Sequence, residues 1–105
     1  MDLRIAGFDW DQGNRDKCQK HGLAVLDIEH ALLRAQNLIV RDVKNSIAED
    51  RYIAIGKTRA GRFAFVAFTL RQSAGGLKLR PISACYMHKK EVVKYEKEIA
   101  QIQNR

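Results

Sequence analysis

The sequence predicts an α+β fold: a twisted, mainly antiparallel sheet of about four to five strands, with two N-terminal helices and one C-terminal helix packed on one face. The main observation is a change of hydrophobic period. Apolar residues keep a helical spacing over the first third of the chain and again after His88, whereas four segments between them alternate as strands do. A chain of 105 residues is long enough for one core, so residues 1–105 are expected to form a single domain.

The first third of the chain predicts one short strand and two helices. Residues 3–8 form a short apolar stretch that predicts a first strand. A first helix is predicted over residues 11–21, and Gly22 ends it, because glycine is the residue favoured just past a helix end. A second helix is predicted over residues 25–36, although Ala24 is a poor N-cap.

Four strands are predicted in the middle of the chain, over residues 38–43, 51–57, 62–70 and 77–86. The links between the last three contain glycine and suit hairpin turns, so these strands are expected to be antiparallel neighbours. The segment 62–70 is apolar on both faces and therefore belongs in the centre of the sheet. Pro81 cannot donate to a neighbouring strand, which predicts an edge or a bulge there. An amphipathic helix over residues 88–103 follows.

The positive charge is concentrated in one segment. The net charge is +7, but residues 1–50 sum to −2 and residues 91–105 to zero. Residues 51–90 contain no acid and nine basic residues: Arg51, Lys57, Arg59, Arg62, Arg71, Lys78, Arg80, Lys89 and Lys90. Such a segment is typical of a surface that binds a polyanion such as RNA or DNA. A solvated basic hairpin without a partner remains the alternative.

Several other classes of protein are disfavoured. No apolar run approaches the ~20 residues that cross a bilayer, and MDLRIAGFDWDQ lacks the pattern of a signal peptide. No membrane partner is therefore expected. Cys18 and Cys85 fit no disulfide framework and are interpreted as free thiols in a reducing cytoplasm. Cys18 and His21 have the spacing of two metal ligands, but no second pair follows, so neither a metal nor a cofactor is expected.

Lys20 and His21, at the end of the first predicted helix, allow two interpretations. Cations there stabilise a helix through its dipole by a few tenths to ~1 kcal/mol. His21 beside Lys20 can also serve as a general acid or base, because histidine titrates near neutral pH. RNA cleavage without a metal needs a base, an acid and cations that stabilise the phosphate. The same basic surface can equally bind nucleic acid without cleaving it.

Three stretches of the sequence carry a resemblance to a known family. FDWDQGNRDKCQKHG (8–22), RYIAIGKTRAGRFAFVAFT (51–69) and PISACYMHKKEVVKYE (81–96) resemble the motifs of the BrnT toxins, in the family's order and spacing. The resemblance implies a RelE-like ribonuclease fold, translation arrest through RNA cleavage, and neutralisation by a BrnA-like antitoxin. It also implies that operator DNA is contacted only through the antitoxin, whose complex with the toxin represses their operon.

The resemblance and the charge pattern together indicate the candidate site residues. The catalytic candidates are Lys20, His21 and Arg51, by their positions in the family motifs, and Arg80, by its charge. The residues expected to bind RNA are Lys57, Arg59, Arg62, His88 and Lys89. Trp10 and the glycines of the motifs are interpreted as structural.

Two positions depart from the family pattern. Asn45 stands where the family commonly has histidine, and Cys85 stands where it commonly has arginine. A neutral thiol cannot stabilise phosphate charge as a guanidinium does. A second hypothesis is therefore a catalytically attenuated or inactive chain of toxin fold, which binds the antitoxin and helps to repress the operon.

Overall fold

A five-stranded mixed sheet organises the chain in the computed structural model, which describes residues 5–34 and 39–103. The elements in chain order are β1 Gly7–Phe8, α1 Gln12–Gln19, α2 Val25–Leu33, β2 Ile39–Arg41, β3 Tyr52–Lys57, β4 Phe63–Ser73, β5 Gly76–Tyr86 and α3 Lys89–Gln103. The strand order is β1-β5-β4-β3-β2, with β1 parallel to β5 and the other pairs antiparallel. The predicted α+β fold with a mainly antiparallel sheet is confirmed.

The boundaries of the elements differ from the predicted ones at their ends. The first strand pairs only over Gly7–Phe8, and α2 ends at Leu33. Residues 3–4 of the predicted first strand, 35–36 of the second helix and 38 of the next strand lie outside the described residues. β4 and β5 extend further toward their shared turn than predicted, because their pairing continues to the last residues before it.

α1 has a defined residue at each end. The Asp11 side chain accepts from the Asn14 N–H at 3.0 Å, and the Asn14 side chain accepts from the Asp11 N–H at 2.7 Å, so the two form a capping box. At the other end Gly22 adopts φ +92°, and its N–H donates to the Gln19 carbonyl at 3.1 Å. Asn14 Nδ2 also donates to the Pro81 carbonyl at 2.9 Å, which ties α1 to β5.

β4 lies in the centre of the sheet, as its two apolar faces predict. Its register with β5 shifts between Ala67 and Phe68, which pair with Ser83 and Pro81 respectively. Ile82 is therefore the extra residue of a bulge, and the prediction of an irregular strand at the proline is confirmed. A bulge of this kind locally bends and twists its strand, and residues 83–86 continue to pair with β4 beyond it.

α1 and α2 cover one face of the sheet. The buried residues packed there are Cys18, Leu23, Ile28, Ala31, Leu32, Ala54, Ala64, Val66, Phe68, Leu79 and Ala84. Full burial of a side chain such as Phe68 contributes about 1.5–3 kcal/mol. α2 approaches β3 so closely that a Cβ atom at Gly56 would collide with the Ala31 carbonyl, and only glycine fits at this position.

α3 lies on the opposite face, so the expectation that all helices share one face is wrong. Phe65 alternates with the core residues Ala64 and Val66 along β4 and therefore points away from α1 and α2. The Tyr95 ring of α3 meets the Phe65 ring edge-on, with the centroids 6.3 Å apart, and Val92 is buried. The reason lies in β4, because a central strand that is apolar on both faces needs a covering element on each.

Candidate nucleic-acid interface

A cavity that we call the basic cavity lies between the β3–β4 hairpin and the start of α3. Its volume is about 460 Å³, and its lining residues are Lys57, Gly61, Arg62, Phe63, Met87, His88 and Lys89. Four of the five residues predicted to bind RNA therefore come together here. None of the seven lining residues is acidic, so the cavity is suited to an anion.

Strand pairing explains why these residues meet. Lys57 and Phe63 pair with each other on the two sides of the hairpin turn. The Met87 N–H donates to the Phe63 carbonyl at 2.8 Å, so the chain stays beside the hairpin for one residue beyond β5. His88 follows at once, and α3 begins at Lys89. The N-terminal end of a helix favours anions, because its first N–H groups have no partner within the helix.

Two cations of the basic cavity rest on aromatic rings. Lys57 Nζ lies 5.1 Å from the centroid of the Phe63 ring, and Arg62 Cζ lies 3.6 Å from the centroid of the Tyr86 ring. Such contacts contribute about 0.5–1 kcal/mol at exposed sites. They orient a cation without neutralising its charge. Neither cation forms an ion pair with a carboxylate of residues 5–34 or 39–103, and both remain available to a phosphate.

Other arginines of the 51–90 segment are paired with acids from elsewhere in the chain. Arg59 Nε donates to Asp27 of α2 at 3.1 Å, and Arg71 Nη2 donates to Glu49 at 3.1 Å. Arg59 is thereby held toward α2 and does not line the basic cavity. Exposed ion pairs of this kind contribute about 0–1 kcal/mol. RNA can therefore compete for Arg59, and its predicted role stays a prediction.

Arg80 binds two carboxylates beside the start of α1. Its Nη2 donates to Asp11 Oδ2 at 2.7 Å, and its Nη1 lies 3.5 Å from Asp9 Oδ1. The hydrogen bond from the Asn14 N–H, followed by that from Arg80, lowers the pKa of Asp11. The same contact with Asp11 raises the pKa of Arg80, so the pair stays charged at neutral pH. Arg80 thus helps to hold α1 on β5, and its catalytic role stays a prediction.

Lys20 and His21 are exposed at the C-terminal end of α1. Lys20 is the C-cap residue, and its N–H donates to the Lys17 carbonyl at 3.4 Å. In the part of the chain that the structure describes, neither side chain forms an ion pair. Their place at a helix end is as predicted. Their participation in catalysis stays a prediction.

Arg51 and Asn45 line a separate cavity in the loop between β2 and β3. This cavity has a volume of about 310 Å³ and is also lined by Ile47, Ala48 and Glu49. Asn45 Nδ2 donates to Asp42 Oδ2 at 2.8 Å within a short turn. None of its lining residues is shared with the basic cavity. The structure therefore does not bring Arg51 together with the predicted RNA-binding residues.

Cys85 lies in a cleft between the sheet and the last helix, which we call the α3 cleft. Its volume is about 420 Å³, and it is lined by Phe65, Cys85, Met87, Glu91, Lys94, Tyr95 and Glu98. Burial, followed by the charge of Glu91, raises the pKa of the Cys85 thiol. Cys18 is fully buried in the core, where burial raises its pKa to about 11. Both cysteines are free, as predicted.

The sequence interpretation missed several residues that shape these cavities, namely Phe63, Tyr86 and Met87. The position of Phe63 could have been predicted, because a hairpin that turns over residues 58–62 pairs Phe63 with Lys57. Tyr86 and Met87 carried no such signal. Their positions depend on where β5 ends and on the direction in which α3 leaves the sheet.

A comparison with protein families assigns the chain to a class. The family described as "Ribonuclease toxin, BrnT, of type II toxin-antitoxin system" matches residues 10–91. The chain belongs to the BrnT family. The matched range runs from Trp10, just before α1, to Glu91 in the first turn of α3, and it includes every residue that lines the basic cavity.

Membership of the BrnT family places the protein among the ribonuclease toxins of type II toxin–antitoxin systems, which implies an antitoxin as partner and RNA as target. No curated protein matches the chain closely enough to count as a relative. Among the described residues, no helix has the length and apolar character needed to cross a membrane. Nor does any group of three His, Cys, Asp or Glu side chains converge there in the manner of a metal site.

Proposed function

We propose that this BrnT-family chain is an endoribonuclease that cleaves RNA without a metal and thereby arrests translation in the cytoplasm. The basic cavity supports the proposal most strongly, since it combines Lys57, Arg62 and Lys89 with a histidine. Contacts from Lys and Arg to phosphates dominate the affinity of proteins for nucleic acids. Histidine is the side chain that titrates closest to neutral pH and can therefore transfer protons there.

In the proposed reaction the nucleophile is part of the RNA itself, namely the 2′-hydroxyl of the ribose beside the scissile phosphate. A base removes the proton of the 2′-hydroxyl, the 2′-oxygen attacks phosphorus, and the 5′-oxygen leaves with a proton from an acid. The products are a 2′,3′-cyclic phosphate and a 5′-hydroxyl, and neither water nor a metal is consumed. The cations of the basic cavity stabilise the negative charge that builds up on the phosphate oxygens.

Two histidines are proposed for the acid and base roles. The family motif supports His21, which follows Lys20 at the end of α1, whereas the geometry supports His88, which lines the basic cavity. Lys20 and Arg51 are retained as proposed catalytic residues on the strength of the motifs. Arg80 is proposed to act through Asp11, because this ion pair determines how α1 is held against the sheet.

The proposal is tested by cleavage of a labelled RNA in the presence of EDTA. His21→Ala and His88→Ala are each expected to lower the rate by about 10²–10⁴, as loss of an acid or base does. His30→Ala, on α2, is the matched control and should cleave at the parental rate. A parental rate for His88→Ala would exclude it from proton transfer, and loss of parental cleavage in EDTA would refute metal independence.

The cations are tested by a second matched pair. Arg62 lines the basic cavity without a carboxylate partner in residues 5–34 or 39–103, whereas Arg71 is exposed and paired with Glu49. Arg62→Ala is expected to weaken RNA binding and to reduce its dependence on salt by about one ion, while Arg71→Ala changes binding much less. An equal effect of the two variants would mean that RNA contacts the whole basic surface and not the cavity.

A BrnA-like antitoxin is proposed to neutralise the toxin by covering the basic cavity, and the complex is proposed to contact operator DNA only through the antitoxin. Lys57, Arg62 and Lys89 have no ion-pair partner within residues 5–34 and 39–103, and their charge supports an acidic toxin-binding region in the partner. Complex formation should then weaken as salt is added. An affinity that does not change between low and high salt would point instead to an apolar interface.

The second candidate function is that of a catalytically inactive chain of toxin fold that still binds the antitoxin. It is supported by Arg80, which is occupied by two carboxylates, and by Cys85, whose raised pKa leaves a neutral thiol where the family commonly has a guanidinium. Induction in cells that lack the antitoxin separates the two functions. Growth arrest with RNA fragmentation supports the ribonuclease, and normal growth with intact antitoxin binding supports the inactive partner.

A further inference from the structure

The α3 cleft lies along one flank of α3, beside the buried Val92 and the Tyr95 ring that pack on the sheet. Glu91, Lys94, Tyr95 and Glu98 follow one another at i, i+3, i+4 and i+7 on α3, and all four line the cleft. Its volume of about 420 Å³ falls in the range of about 300–1,000 Å³ that is usual for small-molecule sites. Glu91, Lys94 and Glu98 are exposed, so the α3 cleft is an open groove with charged side chains along its helix side.

The two sides of the α3 cleft differ in character. On the sheet side lie the apolar groups of Phe65, Cys85 and Met87, and Phe65 pairs with Cys85 across β4 and β5. On the helix side the Tyr95 ring stands edge-on to Phe65, beside charged groups that provide both donors and acceptors. An apolar floor with a few polar groups above it suits a flat ligand that has hydrogen-bonding edges.

The α3 cleft adjoins the basic cavity, because Met87 lines both. The two spaces nevertheless differ in charge. The basic cavity is lined by three cations and a histidine, whereas the cleft has two carboxylates and one ammonium group. A second phosphate is disfavoured beside Glu91 and Glu98. These carboxylates can accept hydrogen bonds from the amino and imino groups of a base, and Lys94 can donate to a base carbonyl.

We propose that the α3 cleft binds one nucleobase of the RNA, with guanine as the best match, while the phosphate of the same nucleotide lies in the basic cavity. The cleft thereby selects the RNA sequences that the toxin cleaves. The inference rests on the proposed ribonuclease function. Guanine presents two kinds of N–H donor and one carbonyl acceptor on the same edge, which one carboxylate and one ammonium group can satisfy, and Lys94 with either Glu91 or Glu98 provides such a pair. Tyr95 and Phe65 provide aromatic surface for the flat ring.

Cys85 provides a probe of the α3 cleft that does not depend on cleavage. It is half-buried in the cleft, whereas Cys18 is fully buried in the core, so alkylation by iodoacetamide reports on Cys85. Short RNA strands with 2′-O-methyl groups bind but cannot be cleaved, because the attacking hydroxyl is blocked. Three strands of equal length are compared: one with guanosine, one without guanosine, and one that carries the same phosphates but no bases.

The guanosine strand is expected to slow alkylation of Cys85 at concentrations about five- to 150-fold below those of the abasic strand, the range that base stacking on an aromatic ring provides. Arg62→Ala should raise the concentration that each strand requires, because it removes a phosphate contact. Equal protection by the abasic strand would overturn the proposal. Protection by the antitoxin but by no RNA strand would also overturn it and would identify the cleft as a protein-binding groove.

Mapping the ends of cleaved RNA provides the second readout. Glu98→Gln is expected to change the base found beside the cleavage site, whereas Val93→Ala, at a partly exposed position of α3 outside the cleft, keeps the parental pattern. An unchanged pattern in active Glu98→Gln refutes base selection by the α3 cleft and leaves the ribonuclease function intact. Guanosine-dependent protection of Cys85 without any cleavage of RNA refutes the ribonuclease function and leaves the base site intact.

Discussion

Asn14→Ala is expected to lower the free energy of unfolding by about 2–4 kcal/mol. Asn14 is buried, and its side chain makes three hydrogen bonds that join α1 to the sheet. Nδ2 donates to the Asp9 carbonyl at 2.9 Å and to the Pro81 carbonyl at 2.9 Å, and Oδ1 accepts from the Asp11 N–H at 2.7 Å. Alanine removes all three bonds and places no new partner beside these groups.

The magnitude follows from which groups lose their partners. Pro81 is buried, and a buried carbonyl without a donor costs about 1–3 kcal/mol. Loss of the side-chain half of the capping box adds about 1 kcal/mol. For a domain of this size, a change of 2–4 kcal/mol corresponds to a decrease in Tm on the order of 10–30 °C.

Urea unfolding followed by circular dichroism measures the effect. Gln12→Ala is the matched control, because Gln12 is exposed on the same helix and its side chain donates to Asp16 at 2.7 Å; loss of this exposed bond should cost less than about 0.5 kcal/mol. Asn14→Asp separates the roles of the amide, since a carboxylate keeps the acceptor for Asp11 but loses both donors. A cost below about 1 kcal/mol for Asn14→Ala would refute the view that this amide anchors α1 to β5.

Three further predictions concern the α3 cleft and the turn beside the basic cavity. The rate of alkylation of Cys85 should rise with pH, and the midpoint of this rise should lie above the ordinary thiol pKa, because burial and the charge of Glu91 disfavour the thiolate. Glu91→Gln should shift the midpoint to lower pH. An unchanged midpoint would exclude Glu91 as a cause of the raised pKa. Cys85→Arg should increase RNA cleavage and toxicity at matched expression, by up to about 10²–10³ in rate, because it restores the guanidinium that the family commonly has at this position. Equal activity of the two proteins would mean that other cations already fill the role. Thr58→Val should raise the free energy of unfolding, measured in urea, by up to about 1 kcal/mol, since Thr58 Oγ1 is buried without a partner among the described residues. A decrease in stability of more than about 1 kcal/mol would instead show that the hydroxyl makes a hydrogen bond.

The sequence by itself determined the local structure and the family. Asp11 and Gly22 mark the two ends of α1, because a cap and a left-handed glycine act within a few residues of their own position. The two apolar faces of β4 placed it in the centre of the sheet, and Pro81 predicted the bulge in β5. The motifs that resemble the BrnT toxins lie almost entirely within the range that the family matches. All of these signals are carried by residues close together in the chain.

Only the tertiary structure decided which charges are available and which surfaces form cavities. Arg80 meets Asp11, and Arg59 meets Asp27, across separations of 69 and 32 residues, so a segment without acids still has paired arginines. α3 covers the second face of the sheet and leaves the α3 cleft open beside the basic cavity, which only the path of the chain after Tyr86 determines. The physical reason is the same in both cases: charge pairing and cavity shape depend on distances in space between residues that no local sequence pattern relates.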